Sequence, residues 1–158
     1  ARPLTMYQTN LRIPLLVNGP GIKPSIVDGS VTHCDFLPSL LSLLEIDQDI
    51  AGGCGENYSA VLRGETWERD SEYLYHEFEN TRCIQNREWK LIRRDPEGSD
   101  ELYHISEDLQ ERVNLADEQT CSEFRKALNS EMERFFKQYA DPEYDLWCGG
   151  RSKAGRLT

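Results

Sequence analysis

The chain has 158 residues, with 18 Lys and Arg against 28 Asp and Glu, and its formal net charge is −10 at pH 7. An acidic balance of this size argues against a general nucleic-acid binder or an anionic-membrane binder, because phosphate binding requires clustered positive charge. No apolar run approaches the roughly 20 residues that span a bilayer. The composition therefore predicts a folded protein of one or two small domains, with no nucleic-acid and no membrane partner.

The first part of the chain predicts a strand and a helix. Residues 12–17 are almost continuously apolar, which is typical of a short strand buried on both faces. Residues 18–21, Asn-Gly-Pro-Gly, end this strand in a turn. Asp35 is interpreted as a helix N-cap, and Pro38 falls in the first helical turn. An apolar stripe at helical spacing then predicts a core face, made of Leu37, Leu40, Leu41 and Leu44.

From residue 72 the period of the apolar residues changes to two, and turn-forming residues separate four short predicted strands. These strands are Glu72–Phe78, Arg82–Asn86, Trp89–Arg93 and Glu101–Ile105. We expect them to pair antiparallel, because parallel pairing requires longer crossovers. A capping-box pattern over residues 120–123 then predicts a long helix that ends before Pro142. Its predicted core face carries Phe124, Ala127, Leu128, Phe135 and Tyr139.

The sequence contains no complete catalytic or metal-binding constellation. Its histidines, His33, His76 and His104, have no partners at metal-ligand spacing, and its five cysteines include no Cys-x-x-Cys pair. The run His33-Cys34-Asp35 is not predicted to hold an ion, because adjacent side chains at a helix start point in different directions. An odd number of cysteines leaves at least one thiol free and is compatible with one or two disulfides.

Segments of the chain resemble, in chain order, consecutive segments of the sulfatase family. They are residues 7–22, residues 32–41, residues 62–70, residues 81–84 with 89–92, and residues 101–103 with 108–115. The first combines a Tyr, an Arg-Ile-Pro sequence, an apolar run and a Pro-Gly turn. The last combines Glu-Leu-Tyr with a downstream Asn-Leu. Each motif alone is weak, but their common order covers essentially the whole chain.

The resemblance implies an α/β fold of the alkaline-phosphatase-like superfamily. Within that fold, residues 1–66 would be the end of the α/β domain and would supply an edge strand and a helix of its large sheet. Residues 67–142 would form a small antiparallel subdomain with the long helix packed on the sheet, and residues 143–158 would be a turn-rich tail. Because the rest of the large domain is absent, part of the leucine stripe is expected to be uncovered.

Sulfatases hydrolyse sulfate esters with a formylglycine, made from the Cys or Ser of a C/S-x-P-S/A-R motif, and with a calcium ion. This sequence contains neither Cys-x-Pro-x-Arg nor Ser-x-Pro-x-Arg. The resemblance therefore implies the C-terminal portion of a sulfatase, inactive alone and without a metal site of its own. Calcium and formylglycine would belong to the intact enzyme, which is expected to be periplasmic or secreted. The expected partners are the missing N-terminal domain and, in the intact enzyme, a sulfated small molecule or sugar.

The resemblance also marks four candidate substrate-binding residues. His76 and Glu77 lie at the end of the first predicted strand, and Arg82 opens the second, where the family has a loop at its active-site pocket. Arg2 stands beside the position of the family's active-site Lys, and a guanidinium can bind sulfate bidentately. The competing interpretation is that these are strand-end and terminal polar groups satisfied by backbone and water.

A second function class stays open at the level of the sequence. The chain would then be a stand-alone, non-catalytic binding or self-association module derived from the end of a sulfatase. In that case a sheet edge or the uncovered apolar helix would hold a partner, such as a second copy of the chain.

Overall fold

The structure is a computed structural model, and it divides the chain into two compact units, residues 14–70 and residues 1–13 with 71–158. It describes residues 6–48, 50, 52–69, 71–76, 81–94 and 98–151, apart from the side chains of residues 75 and 76. The helices are α1 (Gln8–Leu11), α2 (Phe36–Leu43), α3 (Ser59–Leu62) and α4 (Ser122–Tyr139). The strands are β1 (Glu72–His76), β2 (Thr81–Gln85), β3 (Trp89–Arg94) and β4 (Glu101–His104). None of the helices in these described ranges is both long and apolar enough to cross a membrane.

The strands β1 to β4 form one antiparallel sheet in which each strand pairs with the next one along the chain. This arrangement confirms the predicted sheet. At the β2–β3 turn, the side-chain carbonyl of Asn86 accepts hydrogen bonds from the backbone N–H groups of Glu88 and Trp89. Such side-chain-to-backbone bonding is the reason that Asn favours tight turns. Phe78, the predicted end of the first strand, lies outside the described residues.

One face of the sheet packs against α4. Its buried core joins side chains from the sheet to three residues of the helix and to Ala116. The members are Ile84, Leu91, Leu102, Ala116, Leu128, Met132 and Phe136. Tyr73 stacks on Phe135 with a centroid distance of 3.8 Å, and Trp89 stacks on Phe124 at 4.8 Å. The long helix therefore lies on the sheet, as predicted.

The buried face of α4 differs in detail from the prediction. It consists of Leu128, Met132 and Phe136, at four-residue spacing, whereas Phe124 and Tyr139 are exposed on the flanks. The predicted capping box is also wrong, because Cys121 occupies the N-cap position and no side chain caps the helix. A 3-10 turn over Gln119–Cys121 precedes the helix and displaces its start past Thr120.

The opposite face of the sheet is covered by the N-terminal segment. Met6 is buried in a second core with Cys83, Ile92, Tyr103 and Ile105. Tyr7, the residue before α1, and Leu11, the last residue of α1, pack against this core. The sheet is thus buried on both faces, which explains why the adjacent residues Cys83 and Ile84 of β2 are both fully buried.

The outer edge of β4 is closed by a loop. Asn114 accepts hydrogen bonds through its side-chain carbonyl from the backbone N–H groups of Leu102 and Ala116. Leu115 donates its backbone N–H to the carbonyl of Leu102. Asp108 holds the preceding turn by accepting from the N–H groups of Arg112 and Val113. Residues 108–115 therefore satisfy part of an edge that would otherwise offer unpaired backbone groups.

In the unit of residues 14–70, a buried carboxylate organises the loops around α2. Asp35 accepts from the backbone N–H of Thr32, from the N–H of Glu56 at 2.7 Å and from Arg69 Nη2 at 2.7 Å. Asp35 stands at the N-cap position of α2, but its side chain makes no hydrogen bond to the first turn. The N-cap interpretation is therefore corrected: the carboxylate completes a capping box on the 3-10 turn His33–Asp35 and joins three chain segments, and it does not cap α2.

The segment 12–17 forms no strand in the structure. Among the described residues it has no sheet partner, and Leu16 is 90% exposed. An isolated extended segment lacks the inter-strand hydrogen bonds that define a strand, whatever its apolar pattern. The leucine stripe is likewise only partly covered, since Leu37 and Leu44 are exposed, and the buried residue of α2 is Ser39.

The core between the sheet and α4 can be tested with a matched pair of leucines. Leu128 is 5% exposed, whereas Leu109, in the same unit, is 72% exposed. We expect Leu128→Ala to lower the free energy of unfolding by roughly 2–4 kcal/mol, because it opens a cavity. Leu109→Ala should change it by less than about 0.5 kcal/mol. Urea denaturation measures both, and equal effects would contradict the packing described here.

Candidate functional site

The predicted rim residues map to one end of the antiparallel sheet. His76 is the last residue of β1 and pairs with Thr81, the first residue of β2. Arg82 follows in β2 and pairs with Tyr75. Arg2 and Glu77 lie outside the described residues, and only the backbone of His76 is described. The structure therefore places His76 and Arg82 near one another along the hairpin.

Antiparallel pairing brings three arginines to this end of the sheet. Arg82 lies opposite Arg93 in the β2–β3 register, and Thr81 lies opposite Arg94. Because side chains alternate between the faces of a sheet, Arg82 and Arg93 share the face that carries α4, and Arg94 lies on the other face. We call Arg82, Arg93 and Arg94 the arginine end of the sheet.

The Arg82 guanidinium is held by one carboxylate and two aromatic rings. Its Nη2 donates to Asp145 Oδ2 at 2.6 Å. Its central carbon lies 4.3 Å from the ring centroid of Phe136 and 5.0 Å from that of Trp147. Asp145 is positioned in turn by its Oδ1, which accepts from the backbone N–H of Trp147. Arg82 is only 8% exposed, so little of it faces solvent.

The Arg93 guanidinium joins the sheet to α4. It forms an ion pair with Asp100 at 3.2 Å and donates a hydrogen bond to Asn129 Oδ1 at 2.6 Å. A second ion pair joins it to Glu133 at 3.5 Å. It also lies 5.5 Å from the centroid of the Trp147 ring, the ring that Arg82 contacts as well. Trp147 thus contacts two cationic side chains, an arrangement that favours a fixed position for the segment around it.

On the other face, Glu101 gathers three donors. Tyr7 and Tyr103 each donate a hydroxyl to its Oε2 at 2.7 Å, and Arg94 Nη2 donates to its Oε1 at 2.7 Å. Burial opposes ionisation of Glu101, but the hydrogen bonds from Tyr103, Tyr7 and Arg94 outweigh it and lower the pKa of this carboxyl. Burial and the hydrogen bond to Glu101 raise the pKa of Tyr103. Glu101 is therefore an anion held by two neutral phenols and one guanidinium.

A second buried pair fixes the N-terminal segment to the same face. Lys90 is fully buried in β3, and its Nζ donates to Glu111 Oε1 at 2.6 Å. The other oxygen of Glu111 accepts from the backbone N–H of Gln8 at 2.7 Å. Glu111 has a φ of 53°, in the left-handed region that non-glycine residues rarely adopt. Its backbone is strained at the residue whose carboxylate meets both partners, and the contacts around it maintain that conformation.

The arrangement determines what this site can do chemically. Every guanidinium of the arginine end contacts a carboxylate of the same chain, namely Asp145, Asp100 or Glu101. Over the described residues, no group of three or more His, Cys, Asp and Glu side chains converges as metal ligands. These residues therefore do not fit a calcium site. They form a rigid polar surface that can orient a neighbouring loop or ligand.

Sequence reasoning selected Arg82 but missed the acidic residues that hold it and its neighbours. Asp145 lies 63 positions away from Arg82 along the chain. Glu101 was recognised only as part of a Glu-Leu-Tyr motif, and the structure shows why its Glu and Tyr occur together, since Tyr103 donates to Glu101. No local pattern indicated that Glu111 would meet Lys90.

Comparison with known proteins identifies relatives over most of the chain. The family model described as N-sulphoglucosamine sulphohydrolase, C-terminal, matches residues 4–138. The uncharacterised sulfatase YidJ of Escherichia coli K12 is 31% identical over 144 residues, covering 87% of this chain and 28% of that protein.

Solved structures show the same fold. A crystallised candidate sulfatase of Bacteroides thetaiotaomicron aligns with a TM-score of 0.72 at 24% identity, covering 88% of this chain and 32% of that one. A protein solved in complex with its substrate D-glucosamine-2-N,6-O-disulfate aligns with a TM-score of 0.60 at 24% identity, covering 70% of this chain and 25% of that one. The chain thus spans about a third or less of the length of the relatives it matches.

The Glu101 cluster predicts a specific loss of stability in acid. Its lowered pKa means that the ionised form stabilises the fold at neutral pH, and this contribution declines as the pH falls below the usual value of 4.5 and through the folded-state pKa. We expect Glu101→Gln to lower the free energy of unfolding by roughly 1–3 kcal/mol at neutral pH. The difference from the parent protein should shrink as the buffer becomes more acidic.

Urea denaturation across acidic and neutral buffers measures this difference. The matched control is Glu118→Gln, at an exposed glutamate of the same unit. It should have little effect at either pH. A Glu101→Gln cost that stayed constant from neutral pH into strong acid would show that the carboxylate charge is not what stabilises the cluster.

Proposed function

Because the chain belongs to the sulfatase C-terminal domain family, we propose that it is the C-terminal part of a sulfuric ester hydrolase and contributes to the rim of its substrate pocket. The observation that carries this proposal is the family match over residues 4–138. This match includes the segment 6–11, the antiparallel sheet and nearly all of α4. The match therefore includes both the sheet end that carries Arg82 and the segment that packs beneath it.

In this proposal the chain does not supply the nucleophile. Its sequence contains no Cys-x-Pro-x-Arg and no Ser-x-Pro-x-Arg, the motif from which sulfatases make formylglycine. Glu101 of β4 pairs with Arg94, and Glu111 pairs with Lys90 of β3. We therefore assign the formylglycine and the calcium ion of the intact enzyme to residues outside this chain, and expect no sulfatase activity from the chain alone.

The chain is proposed to dock on the larger part of the same enzyme. The unit of residues 14–70 leaves large apolar side chains exposed to solvent. They include Leu15, Leu16, Ile26, Phe36, Leu37 and Leu44. Exposed apolar groups at this density mark an interaction surface. The relatives extend well beyond the matched part, and we propose that the corresponding polypeptide covers these residues.

The proposed substrate is a sulfate ester, and a sulfated sugar is the class we favour. The chain's own contribution would be His76, Glu77, Arg82 and Arg2. Arg82 is already oriented by Asp145, Phe136 and Trp147, so it would meet an anionic group without first losing side-chain freedom. Asp145 engages Nη2 of its guanidinium, and the remaining N–H groups are donors of the kind that bind sulfate.

The function is tested with the intact protein that carries this chain. We expect it to release inorganic sulfate from an aryl sulfate or a sulfated glucosamine, and we expect the 158-residue chain alone to release none. Ion chromatography of the released sulfate measures both. An intact protein that hydrolyses neither substrate class would contradict the proposed function. Turnover by the isolated chain would contradict the assignment of the nucleophile to residues outside it.

The rim is tested by comparing two arginines that face each other in the sheet. In the intact protein, Arg82→Lys should raise the KM for the sulfated substrate about tenfold, the effect of losing one charge-assisted hydrogen bond. Arg93→Lys, at the paired position of β3, should leave KM unchanged, since Arg93 uses both Nε and Nη1 to bind Asp100, Asn129 and Glu133. Steady-state kinetics with a parallel measurement of Tm separates the outcomes. A lower Tm with an unchanged KM for Arg82→Lys would assign Arg82 to structure alone.

A further inference from the structure

Two cysteines from distant parts of the sequence meet at one end of α2. Cys34 lies in the 3-10 turn that leads into the helix, and Cys54 lies in the loop that precedes α3. Both line the same cavity, of about 740 Å³, in the unit of residues 14–70. Cys34 is exposed, and Cys54 is partly buried.

The backbones of the two segments are in close contact. A Cβ atom added to Gly55 would overlap the carbonyl oxygen of Cys34 and would lie 3.0 Å from the backbone nitrogen of Asp35. Only glycine therefore fits at this position. The next residue, Glu56, donates its backbone N–H to Asp35 Oδ1 at 2.7 Å. The two cysteines thus lie on two backbone segments that are in direct contact and that the buried Asp35 carboxylate links.

The two thiols also interact with one another. Burial and the hydrogen-bonded neighbour Cys34 raise the pKa of the Cys54 thiol to about 11. Cys54 is accordingly protonated at neutral pH, while Cys34 is the solvent-exposed member of the pair. A small oxidant would reach Cys34 first.

From this placement we propose that Cys34 and Cys54 form a disulfide that clasps the loop of residues 52–57 to the start of α2. The oxidant is a low-molecular-weight disulfide of the glutathione class. The Cys34 thiolate attacks one sulfur of the glutathione disulfide. The S–S bond of the glutathione disulfide breaks, and one glutathione thiolate leaves. Cys54 then loses its proton and attacks the Cys34 sulfur, and the second glutathione thiolate leaves. Two electrons pass to the oxidant, and both protons end on the released thiols.

The disulfide has a defined structural effect. It closes a loop of about 20 residues, which restricts the unfolded chain and so stabilises the folded unit. That loop contains α2, whose exposed side chains Phe36 and Leu37 belong to the proposed docking surface. The disulfide itself follows from residues within one unit and does not depend on the proposed function.

The test uses the folded full-length protein in a glutathione redox buffer, followed by acid quenching, alkylation and peptide mapping without reduction. We expect a cross-linked peptide pair that joins Cys34 to Cys54, and we expect the exposed Cys148, in the other unit, to stay out of it. In Cys54→Ser, Cys34 should instead accumulate as the mixed disulfide with glutathione. In Cys34→Ser, Cys54 should be recovered as a free thiol.

Thermal unfolding supplies a second measurement. The oxidised parent protein should have a Tm several degrees above that of the reduced protein, and each single variant should lose this difference, whereas Cys148→Ser should keep it. The inference is overturned if Cys34 of the parent protein stops at the glutathione mixed disulfide, or if the cross-link forms only in denaturant. It is also overturned if oxidation lowers Tm.

Discussion

Where a sheet is covered on both faces, a charged side chain in its buried part has no access to water and requires a partner within the chain. Lys90 shows this constraint in its strongest form, because this second residue of β3 is fully buried. Its charge is matched by Glu111, which also binds the backbone N–H of Gln8. Removing either partner of such a pair costs about 3–5 kcal/mol, because the other charge is left buried and unpaired. The N-terminal segment is thus attached to the sheet by an interaction that the sheet itself requires.

The same constraint explains the arginine end of the sheet and what it can contribute to recognition. Arg82 and Arg94 have ion-pair partners on opposite faces, Asp145 and Glu101. Their charges are largely compensated within the chain, so this surface does not act as a free anion-binding patch. Its guanidinium N–H donors are instead held in fixed directions by their ion pairs. Fixed donors lose little entropy on binding, so under the proposed function a compensated charge still contributes to selecting a sulfated ligand.

Patterns within the sequence predicted the four-stranded sheet and the long helix, because period and turn chemistry are local properties. The strand at residues 12–17 was not found, since pairing depends on a partner and no residue pattern supplies one. The buried face of α4 was displaced for a related reason. Phe124 and Tyr139 were expected in the core because they share a helical face with Leu128, but Met132 is buried in the core and the aromatic rings pack along the flanks. Asp35 was read as a local cap because its contacts with Glu56 and Arg69 span 21 and 34 positions of sequence.

The two units are stabilised by different means. In the sheet unit, apolar cores on both faces surround the ion pairs. In the unit of residues 14–70, the most buried groups include the polar residues Asp35, Ser39 and Ser59, while many large apolar side chains are exposed. A unit organised around the Asp35 carboxylate loses the hydrogen bonds that join its segments if that carboxylate is protonated or if a partner segment moves away. It also gains little from burial until its apolar side chains are covered. Hydrogen bonds therefore define the conformation of this unit, but apolar burial adds little to its free energy of unfolding. The unit needs a further stabilising interaction, either a covering surface or a covalent link between its segments.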